Sequence, residues 1–274
     1  MFKTIEQDYS ALSNADSTSA QNIPKLQELA VESQFVLLLK NVLNPIDYAS
    51  VLQYLKEIDD DLEGSTFSYD TISGDHHLGG QPFYKEYLNQ CKGHYQMLLE
   101  KTGFDFATFF QQLFTNLCGC KTARPQDENS IYKSSILKVW NQGKELRAHY
   151  DSVLNELETG QFLKSLGPSQ QIMSFVLILD TPEKGGELVI YDATKKDVPQ
   201  TLLPLNPVNQ ALIGQYLDKK VDYQEVSPRP NMLMLFKGGD AFHRVRPSYG
   251  EGKRITIGGL IMPSFDNKTM YYWG

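Results

Sequence analysis

Cysteine, basic clusters and long apolar stretches are all scarce in this chain. Its 274 residues include 3 cysteines and no CxxC pair, which leaves neither a disulfide framework nor the ligand spacing of a zinc finger. Cys118 and Cys120 are too close in sequence for an ordinary unstrained disulfide and read as structural. The formal net charge is −7 and Lys and Arg form no run. Nucleic acid is therefore not an expected partner, because phosphate binding needs clustered cations. The longest aliphatic stretch, Phe35 to Leu39, falls far short of the roughly 20 apolar residues of a membrane span. The N-terminal segment is polar, with neither the apolar centre of a secretory signal nor an Arg-rich amphipathic pattern. These absences predict a chain of the reducing cytoplasm, with no membrane partner.

What is present fits one substantial core, with 41% hydrophobic and 22% charged residues. Residues 1–22, rich in Ser, Asn, Asp and Gln, read as a flexible tail, and 23–274 as a single domain. Asn44 and Pro45 read as a helix cap and first helical residue, ahead of apolar positions Tyr48, Val51, Leu52, Leu55 and Ile58. Helical spacing recurs from Phe83 to Leu99 and, rich in aromatics, from Phe104 to Leu117, so 23–130 is predicted mainly helical. The stripe Phe104, Phe106, Phe109, Phe110, Phe114 reads most simply as helix-to-core packing or a dimer surface. The aperiodic segment 65–81 reads as a pocket loop. From 131 onward the texture changes to short β-rich runs: Ser135 to Trp140, Ile172 to Leu179, Glu187 to Tyr191, Met232 to Phe236 and Arg254 to Leu260. Several are continuously apolar, as strands inside a sandwich or closed barrel are. Residues 193–230 interrupt them and read as an insertion or lid, with a helical piece from Gln210 to Leu217.

The chemistry-bearing residues fall on these runs. His149 and Asp151 stand two apart, so a strand turns both to one side and Tyr150 to the other. His243 arrives from a later strand. Two imidazoles and one carboxylate are the ligand set of a non-haem Fe(II) site with positions left open for substrate and O2. Arg254, in phase with Thr256 between Ile255 and Ile257, offers a planar fork that suits the far carboxylate of a dicarboxylic co-substrate such as 2-oxoglutarate. A lone HxD pair is weak evidence, and the combination with His243, Arg254 and the intervening strands is what carries the reading. Trp140, on the strand before HxD, is placed either near the co-substrate or in the core. His76 and His77 in the pocket loop are candidate substrate contacts against the commoner reading of exposed loop histidines. Arg147 is a candidate for an anionic substrate group against the reading of a rim salt bridge.

The stretches LKVWNQGKELRAHYD (137–151) and GGELVIY (185–191) resemble the Fe(II)/2-oxoglutarate-dependent oxygenases. TPEKGGELVIY (181–191), LFKGGDAFHRV (235–245), KRITIGG (253–259) and MYYWG (270–274) further resemble the freestanding aliphatic halogenases of hapalindole-type indole alkaloid biosynthesis. The resemblance implies an α+β fold with a double-stranded β-helix, a jelly-roll or cupin-like barrel over 131–274, and buttressing helices. It implies Fe(II) held by His149, Asp151 and His243, with 2-oxoglutarate held by Arg254 and Thr256. It also implies oxidative decarboxylation of 2-oxoglutarate to succinate and CO2, coupled to attack on an unactivated C–H bond. One departure matters: those halogenases carry glycine at the acidic position of the motif, and this chain carries Asp151, so the resemblance implies a hydroxylating relative acting on a freestanding small molecule of alkaloid or terpenoid type. A peptidyl, prolyl-type hydroxylase and a non-catalytic metal-binding jelly roll stand as alternatives. The sequence sets no oligomeric state.

Overall fold

Alternate residues of the apolar runs go to two different places, and the barrel follows from that. In the computed structural model, which describes residues 3–10, 26–31, 35–58, 97–126, 131–151, 158–203 and 206–274, fourteen strands are present among the described residues. They are β1 (Lys3–Asp8), β2 (Phe35–Lys40), β3 (Lys121–Ala123), β4 (Ile136–Trp140), β5 (Leu146–His149), β6 (Met173–Asp180), β7 (Lys184–Gly185), β8 (Leu188–Thr194), β9 (Tyr223–Val226), β10 (Met232–Phe236), β11 (Ala241–Val245), β12 (Ser248–Tyr249), β13 (Arg254–Pro263) and β14 (Thr269–Trp273). The large sheet runs β1-β2-β10-β6-β13-β14-β3, with β4 also on β13, and the small sheet runs β5-β11-β8-β9. From β4 onward successive barrel strands switch sheets except at the β8–β9 pair, which stays within the small sheet, so β4, β6, β10 and β13 face β5, β8, β9 and β11. This is the strand order of a jelly roll, two antiparallel sheets with one shared interior.

The interior is lined by Val36, Leu38, Trp140, Ile178, Leu188, Ile190, Met232, Met234 and Phe236. Their neighbours Phe35, Leu37, Leu39, Phe175, Leu177, Leu179, Leu233, Leu235, Ile255 and Ile257 point the other way, into a second apolar layer. Among the described residues the outside is served by helices that include α1 (Leu26–Val31), α2 (Pro45–Glu57), α3 (Phe106–Cys118), α4 (Glu158–Leu166) and α5 (Pro207–Lys220). In α2, Asn44 accepts the backbone N–H groups of Ile46 and Asp47 at 3.1 and 3.0 Å, and Pro45 occupies the first turn; the cap is the one expected from sequence. In α3 the aromatic stripe is packing: Phe110 and Phe114 lie 5.0 and 4.9 Å from Phe175 of β6, centroid to centroid.

Three boundaries differ from the sequence expectation. Residues 3–8, assigned to a flexible tail, form β1, paired with β2 in parallel along its whole length; the buried strand β2 supplies the backbone partners that a polar composition cannot reveal. Within 193–230, β9 is a regular jelly-roll strand on β8, so the true insertion is narrower. Its helix α5 is no lid. Ile213 and Leu217 pack with Ala148, Val189, Tyr191 and Phe242 on the outside of the small sheet, so both sheets are buttressed. The pocket loop 65–81 and most of the helix expected over Phe83 to Leu99 lie outside the described residues.

Candidate metal and co-substrate centre

His149 ends β5 and His243 sits mid-β11, and the two residues are directly paired across the small sheet. Asp151 follows β5 and donates its backbone N–H to the Gly238 carbonyl at 2.8 Å, which anchors it to the turn between β10 and β11. One donor atom from each of the three side chains lies within 4.8 Å of the other two. His149 Nε2 stands 3.4 Å from Asp151 Oδ1, and His243 Nε2 stands 3.4 Å from Asp151 Oδ2. Tyr150 points away, edge-on against Phe242.

The surroundings fix which atoms are offered. His149 Nδ1 lies 2.8 Å from the Arg147 carbonyl and His243 Nδ1 lies 3.1 Å from the Ala241 carbonyl. A carbonyl only accepts, so each Nδ1 carries a proton and each Nε2 is the nitrogen turned to the site. Burial, followed by the neighbouring His243, lowers the pKa of His149, and Asp151 only partly opposes this. Burial works against ionised Asp151, but the adjacent imidazoles, His243 foremost, hold it well below the usual carboxylate range. An ionised Asp151 and a His149 biased toward its neutral form suit a cation, which would take over from the imidazole protons the charge facing the carboxylate. The donor set therefore fits a divalent metal of the non-haem iron type.

Two groups that hold Asp151 were missed from sequence. Ser174 Oγ, on the inner face of β6, donates to Asp151 Oδ2 at 2.5 Å. Gly238 leaves the room for it, since a Cβ there would meet Ser174 Oγ at 2.0 Å and Asp151 Oδ2 at 2.9 Å. Ser174 stands in an otherwise apolar run, and its one available signal was its phase.

Arg254 opens β13 on the inner face, paired with Trp140 of β4. It is 3% exposed, burial alone brings its pKa down to about 10, and its Nε has no hydrogen-bond partner among the described residues. Its guanidinium lies 5.0 Å from the centre of the Trp140 ring, a cation–π contact. Gly186, at φ 72°, admits the arginine stem, and a Cβ there would sit 3.2 Å from Arg254 Cδ. Thr256 is the next inward residue, and it pairs with Lys138 of β4. Lys138 was also missed. Its ammonium is desolvated, which depresses its pKa, and it feels both Asp151 and Arg254. It thus connects the triad electrostatically to the arginine.

Arg147 does not join them. It is exposed, donates from Nη1 to the Pro207 carbonyl at 3.0 Å and lies 3.5 Å from Glu145. The irregular register between β5 and β11, where Leu146 and His149 face Val245 and His243, breaks the two-residue alternation that would have turned it inward. His76 and His77 lie outside the described residues.

No helix among the described residues is long and apolar enough to cross a membrane. No curated protein matches the chain. Among solved structures, an N-substituted L-amino acid dioxygenase from Burkholderia ambifaria AMMD, in complex with alpha-KG, is 12% identical over 82% of this chain and 90% of its own, with a TM-score of 0.45. EctD from S. alaskensis, with 2-oxoglutarate and 5-hydroxyectoine, is 12% identical over 90% of this chain and 78% of its own, with a TM-score of 0.47. The alpha-ketoglutarate-dependent epimerase SnoN from nogalamycin biosynthesis is 12% identical over 86% and 81%, with a TM-score of 0.42. The family model described as the carrier-protein-independent halogenase WelO5 matches residues 14–274. The chain belongs to that WelO5 family, within the Fe(II)/2-oxoglutarate-dependent oxygenases.

Proposed function

We propose that this protein hydroxylates an unactivated C–H bond of a freestanding small molecule, with Fe(II) held by His149, Asp151 and His243 and 2-oxoglutarate held by Arg254. The observation that carries the reading is a buried guanidinium whose Nε has no hydrogen-bond partner among the described residues, in the same barrel as the three donor atoms. A buried cation lacking an anion is costly, and a co-substrate carboxylate removes that cost by paired charge-assisted hydrogen bonds. Thr256 shares its face, and Lys138 adds positive potential between the two ends. When bound, iron and 2-oxoglutarate supply the oxidising chemistry, with release of succinate and CO2. The chain's own residues orient and enclose it: backbone carbonyls fix both imidazoles, and Trp140 with the interior methionines keeps the site apolar.

Hydroxylation, rather than the halogenation named for the family, is supported by Asp151. The residue is anchored through its backbone N–H at Gly238, and its carboxylate is held by Ser174 and by the facing imidazoles. It fills the place that a halide would need. The freestanding character of the substrate rests on the carrier-independent family to which the chain belongs.

Anaerobic titration with Fe(II) and 2-oxoglutarate tests the reading. A weak visible charge-transfer band should appear in the wild type and be absent in His243→Ala. Iron binding without the band would remove the co-substrate assignment. For the reaction type, Asp151→Gly should lose hydroxylation with and without chloride; undiminished hydroxylation would remove Asp151 from the ligand set.

A further inference from the structure

The turn from α3 to β3 reads Cys118, Gly119, Cys120, and the fold brings the two sulfurs within 3.0 Å of each other. Gly119 makes the approach possible. It ends α3 in the left-handed region at φ 64°, a conformation glycine adopts without strain. The reversal also directs the Cys120 backbone N–H at Cys118 Sγ, 3.4 Å away. The two thiols are unequal. Cys118 is 1% exposed within the layer between α3 and the large sheet, whereas Cys120 is partly open to solvent. Burial, and then the thiol–thiol hydrogen bond, push Cys118 up to about 12. Alone it is an unreactive, protonated thiol.

We propose that Cys118 and Cys120 form a reversible dithiol–disulfide pair, a modification site whose oxidant is a hydroperoxide. Cys120, the sulfur reached from solvent, attacks the peroxide as thiolate; an S–O bond forms, the O–O bond breaks, and the departing hydroxide becomes water with the proton Cys120 gave up. The Cys118 sulfur then attacks the sulfenic sulfur. An S–S bond forms as the S–O bond breaks, and the leaving hydroxide takes the Cys118 proton as a second water. Two thiols thus lose two electrons, and one hydrogen peroxide becomes two waters. Closing the bond across a single intervening residue makes a small, strained ring, which makes the bond easily reduced and suits a reversible mark better than a permanent staple.

The test uses the full chain, metal-free and with chelator present, exposed to hydrogen peroxide, blocked with N-ethylmaleimide and mapped by peptide mass. Wild type should lose two hydrogens from the peptide carrying Cys118 and Cys120, take no maleimide there, and regain both thiols with dithiothreitol. Cys118→Ser should trap Cys120 as a sulfenic acid that reacts with dimedone. Cys120→Ser should leave Cys118 reduced, with oxidation slowed at least about tenfold as expected for a buried protonated thiol. Two intact thiols under excess peroxide would overturn the proposal. So would sulfinic acid at Cys120 of the wild type, or a bridge from Cys120 to Cys91.

Discussion

The two faces of the large sheet are made from the same strands and solve opposite problems. On β6, Phe175, Leu177 and Leu179 point outward into an apolar layer, while Ser174, Val176 and Ile178 point inward. On β13, Ile255 and Ile257 point outward, while Arg254 and Thr256 point inward beside Trp140 and Lys138. The outer face is finished by the protein itself, through the aromatic stripe of α3. The inner face keeps a guanidinium whose Nε has no hydrogen-bond partner among the described residues, beside a desolvated ammonium; on the proposed reading the complement of that guanidinium is the co-substrate carboxylate. On that reading, stability is concentrated on one face and binding on the other.

The largest effect should come from the outer face. Phe110→Ala removes a fully buried ring stacked on Phe114 and packed on Phe175, and should cost about 3–5 kcal/mol in denaturant unfolding. The folded fraction should keep its affinity for 2-oxoglutarate, and a parallel loss of affinity would show that the faces are coupled. Arg254→Met should do the reverse. Co-substrate binding, measured by calorimetry on the metal-loaded protein, should weaken by about 2–5 kcal/mol, the range for truncating a buried charged partner. The apo protein should be as stable or more so, because an unpaired buried charge gives way to an apolar stem. A destabilised apo variant would mean that Arg254 has a structural partner and is no ligand clamp.

The division between faces also explains what could be read from sequence. Asp151, His149 and His243 were legible because two-residue spacing on β-rich runs puts donors on one side, and Arg254 was legible because Ile255 and Ile257 mark its strand as buried. Ser174 and Lys138 were not. Each is one polar residue in an apolar run, and on strands buried on both faces the pattern does not say which face is the inside. Arg147 was open to two readings, a cavity contact and a rim salt bridge, and the structure places it beside Glu145 because the irregular pairing of β5 changes the phase between it and His149. The strand β1 carries little apolar pattern of its own, with Ile5 its one aliphatic residue packed on the core, and its order comes from pairing with β2. The jelly roll came through resemblance, and the helix outside the small sheet was legible as a helix but not in its place.

Smaller effects should separate positioning from direct contact on the inner face. Ser174→Ala leaves the three donor atoms in place and removes only the hydroxyl on Asp151 Oδ2. Metal affinity should fall about 10–100-fold, the usual cost of losing a group that orients a ligand, with thermal stability of the apo protein nearly unchanged. Gly238→Ala should weaken metal binding further, since its Cβ meets both Ser174 and Asp151. Combining it with Ser174→Gly should recover part of the loss. Absence of any recovery would mean that the glycine serves the turn and not the pair.

The smallest expected effect falls on Trp140, and it is the sharpest test of how the inner face works. The ring contributes area to the interior and a π face to Arg254 at 5.0 Å. Trp140→Leu keeps most of the apolar bulk and discards the π face, whereas Trp140→Phe keeps a weaker one. If the ring merely fills space, both variants should bind 2-oxoglutarate alike. If it holds the guanidinium in its fork orientation, affinity should order wild type, Phe, Leu, with about 0.5–2 kcal/mol across the series, and Arg254→Met should erase the order. That dependence on Arg254 is decisive, because a packing effect survives the loss of the arginine and a positioning effect does not.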